Sequence, residues 1–409
     1  MSTSTEPWTD SRLDALRAQG DAEIDELLAG LDDMTRDKVI ELYSKFVRAQ
    51  LDLDPDLWPA ELITWWNQPQ HLPPWADEEK IARAAKFSEQ WLPELLATYL
   101  LGSLPTAYAG SKGALALSRI SLLGQADSLM RRVLETLLFV LRVNEHGGLT
   151  AGGSGVELAR KTRVFHGLVR VMITRFAVDV RQPKGMGTKW DTKTDGVPVN
   201  QEDLLGTLWT FSITPLDRIE RAGAPLSDAD KDAVVHLWCV VGHFLGIGAG
   251  SSPPLLPMTY RDAAHCWSRV QEHQFGTSPQ GKDLTEALIA RCRELVPVPG
   301  LRGLPSAVIY DNIGPEIAAY VGVARPGPIR YLLQLGNAIF RVSLHIPGGA
   351  LIRMPLRHPL KRFVGAWLRL ERSGGRPAIT LPQAQRRRLK PLYVRPKVRR
   401  SFPSTSAVL

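Results

Sequence analysis

The residues best placed to do chemistry lie in Arg163-Val164-Phe165-His166-Gly167-Leu168-Val169-Arg170. One histidine sits between two arginines in an otherwise apolar stretch. Arg163, His166 and Arg170 fall at i, i+3 and i+7, so they share one face of a helix. An imidazole can ligate a metal, and the iron of a haem suits it well. Guanidinium forks on the same face match carboxylates such as haem propionates. The same spacing also suits a histidine hydrogen-bonded inside a helical core, with the arginines in salt bridges.

A second cluster stands upstream in Arg131-Arg132-Val133-Leu134-Glu135-Thr136. Arg132, Glu135 and Thr136 are three and four residues apart and project to one side of a helix. Glu135 is a candidate for handling protons, which asks for a buried carboxyl of raised pKa. Downstream, Gly196-Val197-Pro198-Val199-Asn200-Gln201-Glu202-Asp203-Leu204-Leu205-Gly206-Thr207 ends a polar loop and opens a helix. Asn200 or Asp195 can cap that helix, and Asn200 and Gln201 suit a structural role. His236 and His243 are seven apart on one helical face, which fits core packing better than a second iron ligand.

Other chemistries lack their residues. The chain has no G-x-S-x-G elbow, no phosphate-binding G-x-x-x-x-G-K-[ST] loop and no G-x-G-x-x-G. It has no H-E-x-x-H and no E-x-x-H pair, so zincin and carboxylate-bridged di-iron ligand sets are missing.

Read as R-x-x-H-x-x-V-R followed by G-V-P-[IV]-N-Q-E-D-L-x-G-T, the chain resembles the MpaB and latex-clearing-protein (rubber oxygenase) family of b-type haem oxygenases. The likeness extends through Arg131 to Val140 and Leu237 to Gly246, over roughly residues 95–330. It implies haem b held by His166 as the proximal ligand, with Arg163 and Arg170 toward the propionates. It also implies a distal pocket containing Arg132, Glu135 and Thr136, and oxidative cleavage of a carbon–carbon double bond. Two departures narrow that implication. Where rubber-cleaving relatives offer a lysine, this chain has Glu135. Where they offer a distal carboxylate base, the register falls near Ala116.

The 409 residues carry a net charge of +8 and a pI of about 9.4. Arg386, Arg387, Arg388, Lys390, Arg395, Lys397, Arg399 and Arg400 form a basic tail interleaved with prolines. Such a tail suits a solvated end, an acidic partner or peripheral contact with an anionic membrane. Nucleic acid is disfavoured, because aromatics scarcely interleave with the charges. Three scattered cysteines point to reduced thiols, and Met1 to Asp10 has no features of a secretory signal. A cytoplasmic location is expected.

These groups must be positioned by helices. Apolar periodicity predicts them at 11–29, 35–51, 131–143, 157–176, 202–210 and 229–246, with a proline- and tryptophan-rich stretch at 52–78. Its tryptophans suit packing under a loop better than a substrate entrance. Short strands are expected only near 340–345 and 378–381. The expected fold is mostly α: a single large helical domain, with a helical extension at 1–80 that includes the Trp/Pro-rich loop, a haem-binding core at 81–345 and a basic, partly disordered segment at 346–409. The expected function is haem-dependent oxidation, by O2, of an apolar isoprenoid- or polyketide-like molecule. A haem peroxygenase or peroxidase, and a non-catalytic protein acting through its basic tail, remain open alternatives.

Overall fold

The computed structural model describes residues 6–31, 33–48, 58–120, 127–179, 187–251 and 254–346. The helices are α1 (Asp10–Arg17), α2 (Ala22–Leu27), α3 (Arg36–Arg48), α4 (Ala60–Asn67), α5 (Glu78–Gln90), α6 (Leu92–Thr98), α7 (Leu104–Tyr108), α8 (Ser111–Ile120), α9 (Asp127–Val143), α10 (Ser154–Thr174), α11 (Thr192–Asp195), α12 (Gln201–Arg221), α13 (Asp228–Phe244), α14 (Tyr260–Gln274), α15 (Pro279–Glu294), α16 (Leu304–Tyr320) and α17 (Ile329–His345). Among the described residues there is no strand, only an isolated bridge between Gly110 and Phe275. The fold is mostly α, as expected.

Helix starts follow the side chains able to accept from free backbone N–H groups. Thr9, Asp21, Asp77, Asn200, Ser227 and Ser278 cap α1, α2, α5, α12, α13 and α15. Thr259 and Asp262 form a reciprocal capping box on α14.

The main core surrounds α12 and α13. Trp209 and Trp238 are almost wholly buried there, and Trp238 stacks on Phe211 at 5.9 Å. Burying side chains of this size is worth on the order of 3 kcal/mol each. His236 of α13 faces α5, where the Asp77 backbone N–H donates to Nε2 at 2.8 Å. Trp75 stands edge-on to both His236 and His243, in keeping with the packing role expected of these histidines.

A second apolar cluster lies beneath α10. It joins Val164, Leu168 and Met172 to Ile24 and Leu28 of the N-terminal helices, Val39 and Leu42 of α3, and Ala116 of α8. The early helices thus pack directly on the histidine-bearing helix. Trp58 and Trp65 are buried in the same cluster, so these tryptophans pack as expected. α9 and α10 approach closely at their shared turn. A Cβ on Gly155 would stand 2.7 Å from the Gly148 carbonyl oxygen and 2.9 Å from the Val143 Cα. Only a residue without a side chain fits there.

Three expectations are corrected. The single helix anticipated at 11–29 is two, α1 and α2, with the break at 18–21 where Asp21 caps α2. The strand anticipated near 340–345 is the last part of α17: Phe340, Val342 and Leu344 alternate with polar residues, but the helix runs unbroken from Ile329. The helix anticipated at 202–210 continues through Pro215 to Arg221. The strand expected near 378–381 and the basic tail lie outside the described residues. No helix among the described residues is long and apolar enough to cross a membrane.

Candidate functional site

His166 lies midway along α10. The ring of Phe165 is 6.0 Å away, and that of Tyr43 is a further 5.5 Å beyond it. From α9, the Arg132 guanidinium lies over Phe165 at 5.7 Å. Arg170 follows one turn later on the helix. Burial, then the charges of Arg170 and Arg132, push the His166 pKa down to about 3. The imidazole is therefore neutral at physiological pH. Its Nδ1 is buried and has no hydrogen-bond partner. A hydrogen-bonded core histidine would have one, and leaving such a group unmet costs about 1–3 kcal/mol. A neutral imidazole whose polar demand the protein leaves unmet fits the needs of a metal ligand.

The arginines flanking His166 have partners that their spacing did not reveal. Arg163 Nε and Nη2 donate to Asp21 at 2.5 and 2.8 Å, and Nη2 also reaches Glu23 at 2.7 Å. Arg170 Nε donates to Asp25 at 2.6 Å, and Nη1 to the Val199 carbonyl at 3.2 Å. Asp21, Glu23 and Asp25 alternate along the start of α2, so this short helix is strapped to α10 by charge. A propionate reaching Arg163 would have to displace one of these acids. Arg170 keeps one donor in hand, because its Nη2 is buried without a partner.

Of the α9 group, Arg132 stands near enough to the imidazole for its charge to act on it. The Thr136 hydroxyl donates to the Arg132 carbonyl at 2.9 Å, and Glu135 lies on the exposed side of the helix. The burial that would suit Glu135 to proton handling is therefore not seen. Ala116 is buried in the apolar cluster under α10, which leaves that wall without a carboxylate.

The loop before α12 is built to hold its shape. Val199 has φ of +54°, a left-handed conformation that a β-branched residue rarely adopts. It is held there by the Arg170 bond to its carbonyl and by its neighbours. Asn200 accepts from the Asp203 N–H at 2.9 Å and donates to the Val197 carbonyl at 2.8 Å. Gln201 donates to the Gly20 and Gly246 carbonyls and accepts from the Gly248 N–H. Both serve the structure, as expected. Just beyond, Glu202 is fully buried and receives Arg17, His273 and Gln274 at 3.0, 2.6 and 2.9 Å. These partners come from α1 and α14, too distant in sequence for spacing to suggest.

Among the described residues no three His, Cys, Asp or Glu side chains gather as a metal-holding group. Two surface clefts, of about 370 and 330 Å³, are lined by other residues: the first by Glu23, Glu61 and Trp65 among others, the second by Thr106, Asp217 and Trp267 among others.

The catalytic-domain family described as ER-bound oxygenase mpaB/B'/Rubber oxygenase matches residues 91–342, and the chain belongs to this oxygenase family. Among its relatives is the rubber oxygenase of Streptomyces sp. (strain K30), 26% identical over 377 residues, which span 90% of this chain and 86% of that protein. The fold is also similar to the solved structure of latex clearing protein in its closed state. The TM-score is 0.67 at 23% identity, covering 85% of this chain and 90% of that one.

Proposed function

We propose that this chain is a haem b-dependent oxygenase acting on an apolar, isoprenoid- or polyketide-like molecule, with His166 as the iron's protein ligand. The observation that carries the reading is the buried, unpartnered Nδ1 of an imidazole kept neutral between Arg170 and Arg132. Membership of an oxygenase family supports the reaction class, and the name of the Streptomyces relative supports an isoprenoid substrate.

The residues present fit the group. When bound, haem supplies an iron at which O2 can be activated. The chain's own residues would do the rest. His166 holds the metal, and the free Nη2 of Arg170 is the donor best placed for an anionic edge of the porphyrin. Arg163 ties α10 to α2 and so fixes the direction of the histidine-bearing helix. Arg132 places a positive charge near the imidazole. Phe165, half-buried beside the imidazole, offers apolar surface that disfavours water. Glu135 is assigned proton exchange with solvent, which its exposed position allows, and Thr136 steadies the α9 backbone beside it.

Oxygen uptake by the haem-loaded protein, supplied with a short polyisoprenoid, tests the reaction. We expect consumption of O2 that depends on substrate, with carbonyl products. Turnover with hydrogen peroxide and none with O2 would replace this reading with a peroxygenase. No turnover with either would refute the catalytic assignment.

A further inference from the structure

The cleft of about 330 Å³ between α7, α12, α14 and α16 contains none of the residues around His166. It lies where three stretches of helix lose their regular winding. The chain enters α7 through a π-helical turn, Tyr99–Ser103. Pro215 interrupts the hydrogen bonding of α12, and Gly314, at φ 79° and ψ 171°, breaks α16 just before Pro315. Irregular turns of this kind recur at functional sites. Asn312 ties the three together. Its Nδ2 donates to the Leu101 carbonyl at 3.0 Å, its Oδ1 accepts from Arg218 at 2.6 Å, and its own carbonyl accepts from Arg221 at 2.8 Å. Asn312 is thus occupied in holding the frame.

Thr106 of α7 lines this cleft, is 2% exposed, and has a buried hydroxyl with no hydrogen-bond partner. Thr98, Thr162, Thr174, Thr207, Thr210 and Thr285 all donate to the carbonyl four residues back along their helices. For Thr106 that carbonyl belongs to Gly102, inside the π-helical turn, where the register is shifted. Its hydroxyl can both donate and accept, and it asks for a group that does the same. Asp217 of α12 lines the same cleft, half-buried, and takes a long bond of 3.4 Å from the Tyr260 hydroxyl. Burial raises its pKa, and Arg221 beside it carries the opposite charge, so a charged ligand gains little there. Ile213, Ile313, Ile317 and Trp267 supply an apolar wall. Water can meet the Thr106 hydroxyl but gains nothing from that wall, whereas an alcohol serves both. We propose that this cleft is a second ligand site, built for an uncharged molecule with a hydroxyl on a short apolar body. The inference does not rest on haem, because its residues are separate from those around His166.

Titration of the full chain with octanol and with octylamine, followed by saturation-transfer NMR, tests it. Octanol should bind with a Kd on the order of 0.1 mM, as expected for a ligand of about nine non-hydrogen atoms. Thr106→Val keeps the shape of the side chain and removes the hydroxyl. Its octanol affinity should fall about 10-fold. Its Tm should be unchanged or higher, since no protein group loses a partner. Ile317→Trp, a half-buried position on the wall, fills the cleft and should abolish binding. Octanol affinity that survives both substitutions would place the alcohol elsewhere and overturn the proposal. A lowered Tm in Thr106→Val would show the hydroxyl already engaged in the fold, with the same consequence. Octylamine binding at least about 10-fold tighter than octanol would replace the alcohol with a cation held by Asp217. No octanol binding by the wild type would overturn the site outright.

Discussion

Asp21→Ala should destabilise the protein far more than a surface change on the same short helix. Asp21 is 2% exposed and accepts both Nε and Nη2 of Arg163, itself 9% exposed. Removing one partner of a buried pair costs about 3–5 kcal/mol, because the remaining charge is left unmatched. Glu23 still reaches Arg163 but is half exposed, so the lower end of that range is expected. Asp21 also caps α2 by accepting from the Ile24 N–H at 3.4 Å, a role whose loss adds about 1 kcal/mol. Together these give roughly 4 kcal/mol, or a fall in Tm of about 5 °C for a chain of this size. Circular dichroism melting and urea unfolding of wild type, Asp21→Ala and the exposed control Glu26→Ala measure it. Asp21→Asn/Arg163→Met should recover at least half of the loss, since it removes both charges. A loss under about 1 kcal/mol in Asp21→Ala would refute the buried-pair reasoning. Arg163 would then be free to serve a bound carboxylate.

Three further outcomes follow from the same geometry. Gly155→Ala should cost about 1–3 kcal/mol, because its Cβ would meet the backbone of Gly148 and Val143; a Tm within about 0.5 °C of wild type, roughly 0.4 kcal/mol, would show that the α9–α10 turn can relax. His236 accepts a backbone N–H and its pKa is lowered, chiefly by burial, so the folded state disfavours its charged form. Stability from this residue is then complete above the unfolded pKa of about 6.5 and is lost as pH falls below it, at no more than about 1.4 kcal/mol per pH unit. Urea titrations should show a shallower decline between pH 6.5 and 5 for His236→Gln than for wild type, and parallel curves would count against the assignment. Burial raises the pKa of Cys239, Cys266 and Cys292 to about 12, so a thiol reagent at pH 8 should label none of them in the folded protein and all three in urea. Rapid labelling without denaturant would mean that the core opens.

Much of the helical frame was legible because apolar residues recur at helical spacing. The stretch read at 131–143 is α9 (Asp127–Val143), that at 157–176 is α10 (Ser154–Thr174), and that at 229–246 is α13 (Asp228–Phe244). Pro215 hid the second half of α12, since proline ordinarily stops a helix. The alternation of Phe340, Val342 and Leu344 imitated a strand because six residues are too few to separate the two periods. At the site, the shared face of Arg163, His166 and Arg170 was readable from spacing alone. Their partners were not. Asp21, Glu23 and Asp25 lie about 140 residues away, and an acidic helix start reads as ordinary capping until the fold brings it to α10. The exposure of Glu135 was equally hidden, because one helical face does not declare which side meets the core.

The most direct test of the account is a haem titration followed by absorption, comparing wild type with His166→Ala. The wild type should bind about one haem per chain and show a sharp Soret band that shifts on reduction and on adding carbon monoxide. His166→Ala, still folded by circular dichroism, should lose that band or display it at a clearly different position. Identical spectra for the two proteins, or no haem bound by either, would contradict the assignment of His166 as the iron's ligand.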